Sequence, residues 1–157
     1  MPKKLSIPQI KTQIKAAGYE WKAGRSTISR LAEARQDERL GLDVPEGEME
    51  RVEMMMAQPL EAAFEFAGER DWRDKDGKNW VTKVQDQGGC GACVAFGTVA
   101  TIECQANIQT GNHELDLDLS EADLFFCGAG KRCSQGWWPS YALEYAKDEG
   151  VACLLYT

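Results

Sequence analysis

The sequence of 157 residues has one histidine, His113, which leaves a single candidate imidazole for any acid–base chemistry. It lacks any apolar run near the roughly 18 residues that a membrane-spanning helix needs, so no such helix is expected. The basic start Met1-Pro2-Lys3-Lys4 is not followed by an apolar core of about seven or more residues, so no secretory signal is expected. Positive charge is in deficit. Eighteen Lys and Arg stand against 25 Asp and Glu, a formal net charge of −7, which argues against nucleic acid or an anionic membrane as partner. Residues 1–60 contain no cysteine and no long apolar run, and so differ in character from the remainder.

What is present is 43% hydrophobic residues, enough for one domain with or without an appendage. The six cysteines suit an oxidising compartment, secreted, lysosomal or periplasm-like, whereas the missing signal points the other way. The run Gln87-Gly88-Gly89-Cys90-Gly91-Ala92-Cys93 places a glutamine, a glycine-rich turn and a cysteine in the order that a thiol nucleophile with an oxyanion donor requires. The residues after Cys93 are apolar enough for a buried helix. Cys93 is therefore expected at a helix N-terminus, where unpaired N–H groups and the macrodipole favour a thiolate. Two other readings of Cys90-Gly91-Ala92-Cys93 stay open, half of a zinc site or a redox pair, although the five-residue gap between Cys127 and Cys133 fits zinc poorly.

The run resembles the active-site signature of the papain family, in which a Gln precedes Cys-Gly-Ser-Cys-Trp-Ala-Phe. The resemblance extends upstream through Asp71-Trp72-Arg73, like the start of the mature enzyme, and through residues 81–87. Downstream it takes in Leu119-Ser120-Glu121-Ala122-Asp123-Leu124 with Cys127, and Cys133-Ser134-Gln135-Gly136-Trp137-Trp138-Pro139. Two departures stand out: Val94 replaces the family's Trp after the nucleophile, and Gln135 replaces the first Gly of a Gly-Gly pair.

The resemblance implies an α+β papain-like fold, represented mainly by its α-rich left-hand half behind an N-terminal helical pro-segment, with domains at 1–62 and 63–157. It implies Cys93 as nucleophile, Gln87 as oxyanion donor, and Gly91, Gly136, Trp137, Trp138 and Pro139 along the non-prime substrate cleft. It further implies a Cys90–Cys133 bridge and a bridge from Cys127 to a later cysteine, for which Cys153 is the candidate. Cys104 is then left over as a small buried hydrophobe. The implied partners are a protein or peptide substrate and the chain's own pro-segment lying through the cleft, usually in the reverse direction to substrate. No cofactor or metal is implied.

Such a nucleophile needs an imidazole and a group to orient it. The family carries both far downstream, and the sequence stops at Thr157 before either. His113 lies in a turn after the Cys93 helix. About sixteen residues at about 1.5 Å each would place that turn roughly 24 Å from the thiol, and a solvated loop histidine is expected.

Along the N-terminal segment, Ile7, Ile10, Ile14 and Ala17 mark one helical face that Gly18 ends. A second helix is expected after Ser26 or Thr27, with Ile28, Leu31, Ala32, Ala34 and Leu40, ending near Gly41. A turn follows at residues 43–48, then a weak helical or extended stretch over 49–66. Residues 16–24 resemble the short pro-segments of cathepsin B-like enzymes. An accessory helical pair that aids folding is the alternative. In the second part, Ser120 is expected to cap a helix with Asp123 at N3, and residues 140–147 to form another with Leu143 and Ala146 on one face, closed by Gly150. The Cys93 helix should leave one face wet.

The sequence is thus identified with a papain-like cysteine peptidase, endo- or exo-acting, as the pro-segment and first half of a zymogen and inactive alone. The alternative is a truncated, non-catalytic relative that inhibits peptidases or binds peptides.

Overall fold

The computed structural model describes residues 5–57 and 71–154. The chain divides into two compact units, Met1–Asp37 and Glu38–Thr157. The expected domain boundary at 62/63 lies outside the described residues, and residues 38–57 pack with the second unit.

In the first unit, α1 spans Ile7–Ala16 with Ser6 and Gln9 forming a capping box, Ile14 buried, and the left-handed Gly18 just beyond its end. The second expected helix is corrected. A 3₁₀ turn at Ile28–Arg30 and a short α2 at Glu33–Asp37 replace it, because Ser26 and Ser29 bond each other's backbone and hold a turn there. Leu40 is not helical at all. It lies in an extended stretch of the second unit.

In the second unit, Arg39 closes a turn, residues 40–43 form that extended stretch and α3 follows at Glu48–Ala57, after the expected turn with Gly47 left-handed. The remainder of the expected 49–66 segment, from residue 58, lies outside the described residues. Helix α4, Cys93–Thr110, is the spine: Val94, Ala95, Thr98, Val99, Glu103 and Asn107 are buried, three and four residues apart along one side. It ends at Gly111 in the left-handed conformation.

Against α4 packs α5, Pro139–Asp148, with Pro139 at its first turn, and against α5 packs a π-helical segment, Asp123–Gly128. Leu124, Phe125 and Ala142 are fully buried. Ser120 does cap, accepting from the Asp123 N–H at 3.0 Å. The Asp123 carboxylate, however, accepts from the Ala152 N–H at 2.9 Å and does not complete a box. On α5 the inward face is Ala142, Tyr145 and Ala146, and Leu143 is 45% exposed. Ala142 anchors the stripe, and Tyr145 and Ala146 lie three and four residues on.

Little strand is present among the described residues: isolated bridges join Leu42 to Trp137, Lys75 to Lys78, and Leu119 to Cys153. Glu103, 6% exposed, ties these parts together by accepting from the Thr82 hydroxyl at 2.6 Å and the Leu119 N–H at 2.8 Å. The opposite face of α4 is wet, as expected. Gly97, Ala100 and Thr101 are exposed, and Ala100, Thr101, Cys104 and Ile108 line a 410 Å³ groove with Trp72 and Val81. Cys104 is thus partly exposed rather than a core residue.

Candidate active site

Cys93 opens α4 and is half-buried. Ala92, the N-cap, supplies no side-chain acceptor, so the first-turn N–H groups are not capped from the preceding residue. The turn before it is fixed by the Cys90–Cys133 disulfide and by a 2.8 Å hydrogen bond from the Gly91 N–H to the Cys133 carbonyl. The bridge pairs Cys90 with Cys133 and leaves Cys93 a free thiol. The second expected bridge is not formed. Cys127 is an exposed thiol on the π-helical segment, while Cys153 packs beside Leu119 against the core, so the two side chains occupy different environments.

Gln87 reaches the same turn. Its Nε2 donates to the Cys90 carbonyl and to the Arg39 carbonyl, both at 2.8 Å. Two carbonyl acceptors fix which end of the amide is nitrogen. One hydrogen bond positions the side chain; the other holds an oxygen from residues 39–43.

Those residues run through the site as a strap. The Gly41 N–H donates to Cys93 Sγ at 3.2 Å. The Gly41 carbonyl accepts from the Trp137 N–H at 2.8 Å, and the Asp43 N–H donates to the Trp137 carbonyl at 3.0 Å, a parallel pairing centred on Leu42. The approach is backbone to backbone. A Cβ on Gly41 would collide with the Gly91 carbonyl, and one on Gly136 would come within 2.6 Å of the Gly41 oxygen. Gly91 is equally confined, by the Gln135 carbonyl at 2.7 Å from such a Cβ. The ends of the strap are held by Arg39 Nη1 to Asp86 at 2.8 Å and by Lys131 to Asp43 at 3.7 Å. The Arg39 hydrogen bond, helped by the Gly88 N–H, keeps the Asp86 carboxyl below its ordinary range.

Of the expected cleft residues, Gly91, Gly136 and Trp137 meet the strap. Trp138 faces elsewhere: its indole N–H donates to Glu48 on α3 at 2.7 Å. Arg51 bonds the same Glu48 oxygen at 2.9 Å and is the main cause of that carboxyl lying below its usual range. Pro139 starts α5. His113 lies in the expected turn, with its side chain 30% exposed and its ring centroid 5.7 Å from that of Trp80. It lines a 540 Å³ cavity with Thr82, Glu103 and Asn107, which includes neither Cys93 nor Gln87. Sequence reasoning missed Arg39, Gly41, Asp43 and Lys131; a glycine flanked by leucines in a segment assumed helical was the available signal.

A family model described as papain family cysteine protease matches residues 66–154, more than half of the chain. Caricain of Carica papaya is 42% identical over 81 residues, 52% of this chain and 22% of caricain. Digestive cysteine proteinase 1 of Homarus americanus is 41% identical over 85 residues, 52% of this chain and 24% of that protein. The solved structure of digestive procathepsin L2 proteinase from Tenebrio molitor larval midgut superposes with a TM-score of 0.67 at 21% identity, over 94% of this chain and 47% of that one. That likeness shows a shared fold. The chain spans about half of the procathepsin, and the aligned region is under a quarter of these two curated relatives.

Proposed function

The chain belongs to the papain family of cysteine proteases, and from that premise we propose that it is the self-blocked pro-segment and first half of a peptide-bond hydrolase. Cys93 is the nucleophile in this reading. Its thiolate adds to a substrate carbonyl carbon, the C–S bond forms, and the carbonyl electron pair moves onto oxygen, where the Gln87 amide and the Cys93 N–H stabilise it. Collapse expels the amine, and water then releases the acyl group. Gly91, Gly136 and Trp137 form the edge on which an extended substrate pairs.

One observation carries the reading. The Gln87 amide already holds a carbonyl oxygen, that of Arg39, while the Cys93 sulfur accepts from the Gly41 N–H. A peptide thus occupies both halves of the nucleophile–oxyanion site without offering the sulfur a carbonyl carbon. This accounts for a pro-segment that blocks the site and is not cut there. Its parallel pairing with Trp137 supports a strap running opposite to substrate.

The chemistry also needs an imidazole to take the thiol proton and return it to the leaving amine. The single histidine packs on Trp80 and lines a cavity that does not include Cys93, so no imidazole of this sequence stands at the thiol. The Cys90–Cys133 bridge supports an oxidising compartment. The absence of an imidazole beside Cys93 favours, as second reading, a non-catalytic binder or inhibitor.

The test is the intact mass of the native protein beside the 17.4 kDa of this chain, with hydrolysis of a fluorogenic peptide by the native protein at acid pH. The expected result is a larger precursor whose activity is lost in Cys93→Ser. A native mass of this chain alone without hydrolysis would move the conclusion to the binder, and hydrolysis that survives Cys93→Ser would end the nucleophile assignment.

A further inference from the structure

We propose that Lys131 gives the cleft a preference for peptides with an acidic side chain two residues on the amino-terminal side of the residue whose carbonyl Cys93 attacks. The inference rests on the peptide-cleaving reading above. The strap is itself a peptide in the cleft, and its residues mark stations along it. Gly41 lies at Cys93, Leu42 lies opposite Trp137, and the Asp43 carboxylate lies 3.7 Å from Lys131 Nζ. Consecutive extended residues are about 3.3 Å apart whichever way the chain runs, so a substrate of opposite direction reaches the same stations in the same order from the thiol.

Lys131 belongs to the cleft and not to the strap. Its N–H donates to the Phe125 carbonyl at 3.3 Å. The next residue, Arg132, exchanges hydrogen bonds with Gln135 at 2.9 and 2.8 Å, and Cys133 is bonded to Cys90 in the turn that carries Cys93. The root of the lysine is therefore fixed relative to the thiol. Its side chain is 27% exposed, against 64% for Asp43. Another ion pair of the strap, Arg39 with Asp86, lies on the far side of Gly41, so among the described residues the carboxylate paired with Lys131 is that of Asp43, and it leaves with the strap. A partly shielded, pre-positioned ammonium selects a carboxylate by about three- to five-fold, the size expected of a half-exposed ion pair.

The test uses the full chain carrying Gly41→Ala to open the cleft, with three peptidyl chloromethyl ketones that differ only at the third residue from the reactive end: Asp, Asn or Lys. Alkylation of Cys93 is followed by peptide mass mapping. The expected order is Asp, then Asn, then Lys, reversed by Lys131→Glu and flattened by high salt. The parent chain, in which each peptide must displace the strap, should give the same order more slowly, so the result does not depend on one variant folding. Equal rates for all three, with each still faster than its D-residue counterpart, would overturn the role of Lys131 and leave the cleft standing. Equal rates for L and D peptides would remove the cleft reading and this inference with it.

Discussion

Replacing Gly41 by Ala should unblock Cys93. The added Cβ has no room, since it would fall on the Gly91 carbonyl, and both Gly91 and Gly136 are backbone held by the disulfide loop. The strap must therefore lift. Lifting breaks four hydrogen bonds: Gly41 to sulfur, Trp137 to Gly41, Asp43 to Trp137, and Gln87 to Arg39. Each contributes about 0.5–1.5 kcal/mol net, so the seated strap loses at least about 2 kcal/mol, or roughly thirty-fold in its open fraction. The assay is the rate at which iodoacetamide alkylates Cys93 in the folded protein, read on the Cys93 peptide because Cys104, Cys127 and Cys153 are also free. Leu40→Ala is the control, its side chain being 75% exposed. A Cys93 rate in Gly41→Ala within two-fold of the parent, with helical content unchanged, would refute the account of the strap.

Acid should release the strap as well. Asp86 has a depressed value in the folded chain, caused mainly by Arg39, so its contribution to holding Arg39 is fully present above the ordinary carboxylate range and lost as pH falls through the depressed value. Cys93 reactivity toward 2,2′-dithiodipyridine should rise as pH drops below about 4, and a flat profile would refute the tether. Cys133→Ser opens a loop with a sequence separation of 43 and should cost about 4 kcal/mol in the loop-entropy model, measured by urea unfolding under non-reducing conditions. Glu103→Ala leaves the Thr82 hydroxyl and the Leu119 N–H without their carboxylate and should destabilise by about 3 kcal/mol; a loss under about 1 kcal/mol would contradict its bridging role.

Much of this was legible in order and spacing. Gln87, the glycine turn and Cys93 lie within one short run, so their proximity at the start of α4 follows from local chain geometry. The same holds for Pro139 opening α5 and Gly111 closing α4, each fixed by backbone preferences of a single residue. The assignment of residues 27–40 to one helix failed because helical periodicity in a weak segment was outweighed by serine turns and by a groove that pairs with extended backbone. Trp138 was assigned to the cleft by analogy, but a loop with an extra aromatic turned its indole toward the carboxylate of Glu48.

The sequence by itself determined the family, the position of Cys93 at a helix start, and the Cys90–Cys133 bridge that the resemblance implied. Only the tertiary structure decided that residues 39–43 meet Cys93 and Gln87, that Lys131 meets Asp43, that Cys127 and Cys153 stay apart, and that His113 lies beside Trp80 rather than the thiol. The physical reason is range. Caps, turns and helical faces are set by neighbours a few residues away, whereas the strap meets Cys93 across 52 positions of sequence through backbone groups that every residue carries. Such contacts leave no side-chain pattern except a glycine where a Cβ cannot fit.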